Sequence, residues 1–373
     1  MIPVPPAELA WFPLVPRPRP PCLPLSTRTS ELTALAAAAG EGTPRERATR
    51  AAAVLNKTAL IASDCGLPSL ARELCQRQFE LFRATAPLPA WAVSHALQPV
   101  LNIPRQLIRD GDACRACTIL ETLHNAAITR SAVVIEDMHV DFAALPCTAE
   151  GLKEAQRLTW TALLADGTRA LAQAGHWKQA AARAAGHRGT GSRLLDGRQA
   201  SILALIADGQ LSQAAIMTEQ SAVTELWEHA VQALLGVVCL RAAGPCPGPA
   251  ITAAIATADA LVRVGDPAAA VGRGRIGLTV LYLAARQHES ESAGIRTALI
   301  ATAHADGYAA RDILASTSAG EFLSKTERLA LQELISRCGL DAATIPVRLR
   351  DQMMYAADLA VGALMSFTER VSE

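Results

Sequence analysis

Residues 186–193, Gly-His-Arg-Gly-Thr-Gly-Ser-Arg, form the segment whose residue types point most directly to chemistry on a phosphate. The segment reads G-x-x-x-x-G followed by a hydroxyl residue and a cation. A phosphate-binding loop carries lysine after its last glycine, follows a buried strand and opens a helix. Here Ser192 occupies the lysine position, and the preceding HWKQAAARAA has a helical pattern. Nucleotide hydrolysis is therefore not expected. A Gly-rich turn at a helix N-terminus still attracts anions through its backbone N–H groups. His187, Arg188, Thr190, Ser192, Arg193 and Arg198 accordingly make a candidate anion loop. The competing reading is a plain connection in which the glycines end one helix and Ser192 caps the next.

Two other clusters carry potential ligands. Cys114 and Cys117 in CRAC fall on one helical face, with His124 about two turns further on. Zinc needs a second pair at suitable spacing, and none is visible, so small core residues are the preferred reading. Glu136, Asp137, His139 and Asp141 gather carboxylates around one imidazole, with His139 and Asp141 on one face of a strand. That cluster reads as a metal site or, preferably, as a solvated hairpin tip. No complete nucleophile-elbow, zinc-protease or dinucleotide motif is present. No metal and no cofactor are expected.

The elements that must position these residues are helical. The chain has 373 residues, half of them hydrophobic but only 4% aromatic. Ala and Leu supply most of that hydrophobicity, and both favour helix over strand. Formal net charge is zero, so nothing pulls the whole molecule toward nucleic acid or membrane. Lys stands only at 57, 153, 178 and 325, against many Arg; this bias suits a GC-rich, bacterial coding sequence. The nine cysteines are odd in number and scattered, which argues against a disulfide framework. The N-terminus lacks the basic start and apolar run of a signal peptide. The longest apolar stretch, HAVQALLGVVCL, is too short to span a bilayer. A cytoplasmic, soluble protein is expected.

Nine of the 21 prolines lie between residues 3 and 24, so residues 1–27 are expected to form a Pro-rich, extended tail, on the surface or disordered. From there the pattern turns repetitive. Gly66, Gly111, Gly175, Gly209 and Gly265 each separate two helix-like runs. Ala71, Ala116, Ala180, Ala214 and Ala270 each follow by five residues, and Leu107, Leu171, Leu205 and Leu261 precede the last four glycines by four. Glycine ends a helix in the left-handed conformation, and a small residue at a fixed offset lets the next helix pack closely. SAVVIEDMHVDFAAL, residues 131–145, breaks the pattern and predicts at most a short β-hairpin turning at Glu136–Asp137. RATAPLPAW and RAAGPCPGPA read as longer loops. Further on, Ser324 with Glu327 signals a capped helix, and residues 351–371 read as a terminal capping helix.

This pattern resembles the tetratricopeptide-repeat family over roughly residues 50–285, with GHWKQAAARA the nearest match. Gly175 and Gly209 are 34 residues apart, the family period, whereas the other spacings are 45, 64 and 56. Most of the family's large aromatic positions are absent. The resemblance implies an all-α fold, a right-handed α-solenoid of stacked helical hairpins. Helical repeats would fill 28–290, with the insertion at 131–145, and capping helices would fill 291–373. In that family the first helix of each pair lines a concave groove that binds peptides. Counting back from each turn glycine, the resemblance places Asn56, Asp64, Gln98, Arg105, Arg109, Arg169, Gln173, Asp196, Gln199, Asp259 and Arg263 at groove positions.

The function expected from these readings is a non-enzymatic scaffold or regulator holding an acidic peptide or protein partner against the central Arg residues. The alternative is a helical enzyme or small-molecule binder whose anionic ligand, a carboxylate or phosphate, is held by the groove Arg residues and the 186–198 loop, with Asp166 nearby in the chain. No helix-turn-helix or basic arm points to nucleic acid.

Overall fold

The computed structural model describes residue 9 and residues 11–146, 148–284, 288–316 and 322–371. In chain order the elements are α1 (Leu25–Ala38), α2 (Pro44–Asp64), α3 (Pro68–Arg83), α4 (Ala90–Arg109), α5 (Ala113–Thr129), β1 (Ala132–Ile135), β2 (Met138–Asp141) and α6 (Ala149–Ala162). A π turn (Leu163–Gly167) leads into α7 (Thr168–Gln173), then α8 (Trp177–Gly186), α9 (Asp196–Ala207), α10 (Leu211–Glu219), α11 (Leu226–Ala243) and α12 (Gly248–Val262). A 3₁₀ turn (Pro267–Ala269) precedes α13 (Ala270–Ala284), α14 (Ala293–Ala305), α15 (Gly307–Ala315), α16 (Lys325–Arg337) and α17 (Val347–Val371). The molecule is thus mostly helical, with one two-stranded antiparallel sheet. Among the described residues no helix is long and apolar enough to cross a membrane.

Four helix ends share one cap. Gly66, Gly111, Gly175 and Gly209 take φ of 73°, 83°, 78° and 73°. At each, the glycine N–H bonds the carbonyl three residues back, and the following N–H bonds the carbonyl five back: His176 N to Leu171 O is 2.8 Å and Gln210 N to Leu205 O is 2.9 Å. This paired bond satisfies the carbonyls that a helix end leaves open. At three of the caps the acceptor of the second bond is the carbonyl of the Leu four residues before the glycine, Leu107, Leu171 and Leu205. Ala71, Ala116, Ala180 and Ala214 are all completely buried. Gly265 departs from the expectation. It is not left-handed, and the chain enters α13 through the 3₁₀ turn, where the Asp266 carboxylate accepts the Ala268 N–H. The 56-residue spacing before it holds a complete extra helix rather than a long loop, since α10, α11 and α12 all lie within it.

The chain divides into two compact units at boundaries the sequence reading does not place: Met1–Leu23 with Thr168–Cys338, and Pro24–Gly167 with Gly339–Glu373. In the 24–167 unit, α2 packs on α3, α3 on α4, and α4 on α5 and α6. Its last helix, α17, returns to α1 and α2, where Met353, Ala356, Ala357 and Ala360 join the core of Leu32, Val54 and Leu55. Residues 339–373 therefore belong with the helices of residues 24–64. Helical periodicity cannot reveal such a return across some 280 residues, because it reports only which face of a helix is apolar. β1 and β2 form the expected hairpin, with Ile135 opposite Met138 across Glu136–Asp137. Met138, Val140 and Phe142 are buried.

In the 168–338 unit, successive helices pack on one another from α7 to α16, and alternate helices also meet. α7, α9, α11, α13 and α15 each touch the next member of that series, so they make one layer, and α12, α14 and α16 pack likewise in a second. Ser324 and Glu327 form the predicted capping box of α16. The Pro-rich segment is not a free tail where it is described. Phe12, Leu14 and Cys22 are buried, and Leu9, Phe12 and Leu14 belong to the same core as Ile202, Leu235 and Ile276. Residues 1–8 and 10 of the expected tail lie outside the described residues.

Candidate functional site

The 186–198 loop is committed to its own fold. α8 ends at Gly186, and Arg188, with φ of 58°, takes the left-handed position. Gly189 N bonds Ala184 O at 2.7 Å. A Cβ on Gly197 would lie 2.5 Å from the Gly189 carbonyl oxygen, so glycine is needed for α9 to approach the loop. Ser192 does not cap α9: the helix begins at Asp196 behind Leu195, with no side-chain cap, and the Ser192 carbonyl instead accepts the Ala222 N–H. Arg198 donates to Gly191 O, Met217 O and Ser221 Oγ. Arg193 donates to Glu228 Oε1 at 2.8 Å and Glu225 Oε1 at 2.6 Å. Glu228 is fully buried and also accepts the Thr224 N–H, Thr224 Oγ1 and the Glu225 N–H. Burial pushes its carboxyl up, but the Arg193 guanidinium and the Thr224 and Glu225 donors outweigh this and hold it at about 2. Arg193 and Arg198 thus bond internal acceptors, while Arg188 is exposed. His187 is half-buried and Thr190 Oγ1 is buried without a hydrogen bond.

The expected groove residues fall in both units. In the 24–167 unit, Asn56, Gln98 and Arg105 come together through Asn102, which the sequence reading passes over. Asn102 Nδ2 donates to Asn56 Oδ1 at 2.7 Å, while its Oδ1 accepts from Gln98 Nε2 and Arg105 Nη1, each at 3.3 Å. Arg105 Nε reaches Asp166 Oδ2 at 2.8 Å, on the π turn. The available signal was helical spacing, since Gln98, Asn102 and Arg105 are i, i+4 and i+7 on α4. Arg109 and Arg28 share Asp64, at 3.3 Å and 2.6 Å, tying α4 and α1 to the end of α2.

In the 168–338 unit the extended segment meets the layer of α9, α13 and α15. Gln199 on α9 is completely buried. Its Oε1 accepts the Leu14 N–H at 2.7 Å and its Nε2 donates to Leu14 O at 3.3 Å and Leu194 O at 2.6 Å. One side-chain amide thus engages both polar groups of a passing backbone. Arg17 pairs with Asp196 Oδ2, and Arg169 lies 3.9 Å from Asp196 Oδ1. Burial pushes the Asp196 carboxyl up, opposed by Arg17 and Arg169. A Cβ on Gly272 would lie 2.5 Å from Pro16 Cα. Arg19 N bonds Ala268 O at 2.9 Å, and its guanidinium sits 3.4 Å above the Tyr308 ring. Cys22 N bonds Asp306 Oδ2, and Cys22 O accepts from Gly307 N and Cys338 Sγ. Pro16, Arg19 and Cys22 face inward at intervals of three, while Pro18 and Pro20 are exposed. Three residues per turn is the polyproline II period. Gln173 is exposed and stands apart from this set. Asp259 and Arg263 pair with each other at 2.7 Å on α12, outside the α7–α15 layer.

The remaining candidates separate. Cys114 is exposed whereas Cys117 is buried and donates to Gly167 O at 3.4 Å, so the two thiols do not share an environment. His124 Nδ1 meets Thr159 Oγ1 at 3.3 Å. Glu136 pairs with Arg115, Asp141 caps the turn to Ala143 and Ala144, and His139 is exposed. Among the described residues no three His, Cys, Asp or Glu side chains are grouped to hold a metal ion.

The fold and site together define a predominantly helical protein whose layered α-hairpins carry an extended segment of the same chain. No protein-family model, curated protein or solved structure matches it.

Proposed function

We propose that the protein is a non-enzymatic, cytoplasmic scaffold or regulator, a tetratricopeptide-like α-solenoid that binds another polypeptide. One observation carries this reading: α9, α13 and α15 already hold an extended, Pro-rich stretch through backbone bonds, one amide, two carboxylates and one aromatic face. An aromatic face is also a common element of surfaces that recognise extended Pro-rich peptides. The four identical glycine caps support the repeat character. Affinity purification of the full chain from its own cells, followed by identification of what accompanies it, tests the reading. A stoichiometric protein partner supports it; a stoichiometric small molecule with no protein sinks it.

The second reading, an anionic small-molecule binder or enzyme, rests on the polar cluster of Asn56, Gln98, Asn102, Arg105 and Asp166. Because Arg105 already has Asp166 beside it, an added anion must displace a carboxylate there. The same holds for an acidic partner at Arg109 and Arg169, which face Asp64 and Asp196.

A further inference from the structure

A cavity of about 510 Å³ lies in the 24–167 unit, where the first turns of three helices converge. Arg45 is the second residue of α2, Trp91 the second of α4 and Glu150 the second of α6, and all three line it. None of the groove positions implied by the repeat resemblance does so. Trp91 supplies an apolar wall. Its indole is half-buried and meets the His95 ring edge-on at 6.1 Å, and His95 stacks on buried Phe82 at 6.2 Å, so core backs the ring. The Arg45 guanidinium lies 5.5 Å from the Trp91 centroid. The charges divide into paired and unpaired. Arg157 donates twice to Glu154, Nε to Oε2 at 2.8 Å and Nη2 to Oε1 at 2.7 Å, and these bonds hold the Glu154 carboxyl below its usual range. Arg45 and Lys153 are exposed, and among the described residues neither pairs with a carboxylate; Glu150 likewise has no cation. Two unopposed cations therefore face one unopposed carboxylate, and the positive ends of three helix dipoles add to the same sign.

We propose that this cavity is the docking site for an acidic segment of the partner polypeptide, with an apolar side chain of that segment on Trp91 and its carboxylates on Arg45 and Lys153. This rests on the reading of the protein as a polypeptide-binding scaffold, and it moves the contact away from the Arg residues that the sequence singles out. Arg105, Arg109 and Arg169 already face Asp166, Asp64 and Asp196, so a carboxylate arriving there competes with one of the chain's own. At Arg45 and Lys153 it displaces no side chain. Trp and Arg are also the residue types that most often anchor protein interfaces, and a ring fixed beforehand loses little freedom on binding. Because both cations are exposed, salt screens their attraction.

The test uses the full chain and a fluorescently labelled peptide, Glu-Glu-Trp-Glu-Glu, with binding followed by anisotropy. The peptide should bind wild type, and added salt should weaken it. Arg45→Glu/Lys153→Glu should weaken binding about tenfold or more, since two attractions become repulsions. Arg348→Glu/Arg350→Glu makes the same change in net charge at exposed positions on α17, outside the cavity, and should leave the affinity as in wild type. Peptides with Gln for every Glu, or Ala for the Trp, should bind more weakly than the parent. Arg45 and Lys153 are exposed, and circular dichroism checks that the variants keep their helices. Parent peptide that binds no tighter than its Gln form, or binds wild type and the Arg45→Glu/Lys153→Glu variant equally, overturns the proposal. So does an equal loss in the α17 variant, which would mean attraction to overall charge alone. Loss in Arg105→Ala with none in the cavity variant would return the partner to the groove and also overturns it. If purification from cells yields a protein partner that the Arg45→Glu/Lys153→Glu chain retains in full, the inference fails while the scaffold reading stands.

Discussion

Pro16 rests directly on the backbone of Gly272: a Cβ at position 272 would lie 2.5 Å from Pro16 Cα and 2.7 Å from its Cβ. Gly272 is within α13, where alanine would ordinarily favour the helix by about 1 kcal/mol. The collision is with main chain and a proline ring, neither of which can swing aside. Gly272→Ala is therefore expected to lift the segment rather than stabilise the helix. Alkylation of Cys22 should quicken, and a thermal melt should show a midpoint no higher than wild type. A raised midpoint with Cys22 still shielded would show that the contact is absent in solution.

The charge beneath the segment makes a second prediction. Asp196 is buried and faces Arg17 and Arg169. Asp196→Asn keeps the shape but leaves two guanidinium groups without their shared anion. Breaking a buried pair from one side costs about 3–5 kcal/mol; burial, which outweighs Arg17 and Arg169 and holds the Asp196 carboxyl above its usual value, places the expected loss below that range. Arg17→Ala should cost less, because Arg169 remains to balance the carboxylate. Urea unfolding of the two variants checks the order, and equal losses would contradict it.

How much of this was legible beforehand divides by the range of the interaction. Gly66, Gly111, Gly175 and Gly209 could be read because a left-handed cap is decided within five residues. The hairpin at Glu136–Asp137 and the Ser324–Glu327 box are equally local. Asp196 and Gln199 could be placed on a helix face, yet nothing in their neighbourhood announces that Leu14 and Arg17 lie against them. The return of α17 to α1 and α2 is hidden for the same reason. The partners of the loop cations are hidden for the same reason: the acceptors of Arg193 and Arg198, which are Glu225, Glu228 and Ser221, lie more than 20 residues further on.

The helix contact in the hairpin of α7 and α8 is tested by Ala180→Leu. Ala180 is completely buried at the position five residues after Gly175. Three added carbons have no space there, and overpacking typically costs about 1–3 kcal/mol. The urea midpoint should fall with the slope unchanged. An unaltered midpoint would mean that α7 and α8 part easily at this point.

Arg105→Ala should have a smaller effect. Arg105 is about one-third exposed, with a side-chain accessibility of 35%, and its bonds run to Asp166 and Asn102. Solvent screening limits such a pair to about 1 kcal/mol. Arg105→Lys should recover only part, since an ammonium cannot serve Asp166 and Asn102 along two fixed directions. Chemical denaturation of both variants decides; a loss of several kcal/mol for Ala would mark the cluster as a keystone of the 24–167 unit.

Glu228 ties acid stability to the loop at 186–198. In the folded chain its carboxyl is held at about 2, against 4.5 for a free glutamate. The folded protein therefore takes up this proton less readily than the unfolded one. As pH falls, protonation favours the unfolded chain, so the stabilisation is complete above about pH 4.5 and is lost progressively toward pH 2. The full difference corresponds to roughly 3 kcal/mol. Glu228→Gln keeps an acceptor for Arg193 but removes the charge and cannot titrate. At pH 7 the variant should be less stable than wild type by up to that amount. The gap should narrow steadily as urea midpoints are measured from pH 5 down to pH 3. A gap that stays constant across this range would show that Glu228 acts through shape alone, and that the Arg193 bonds do not depend on its ionisation.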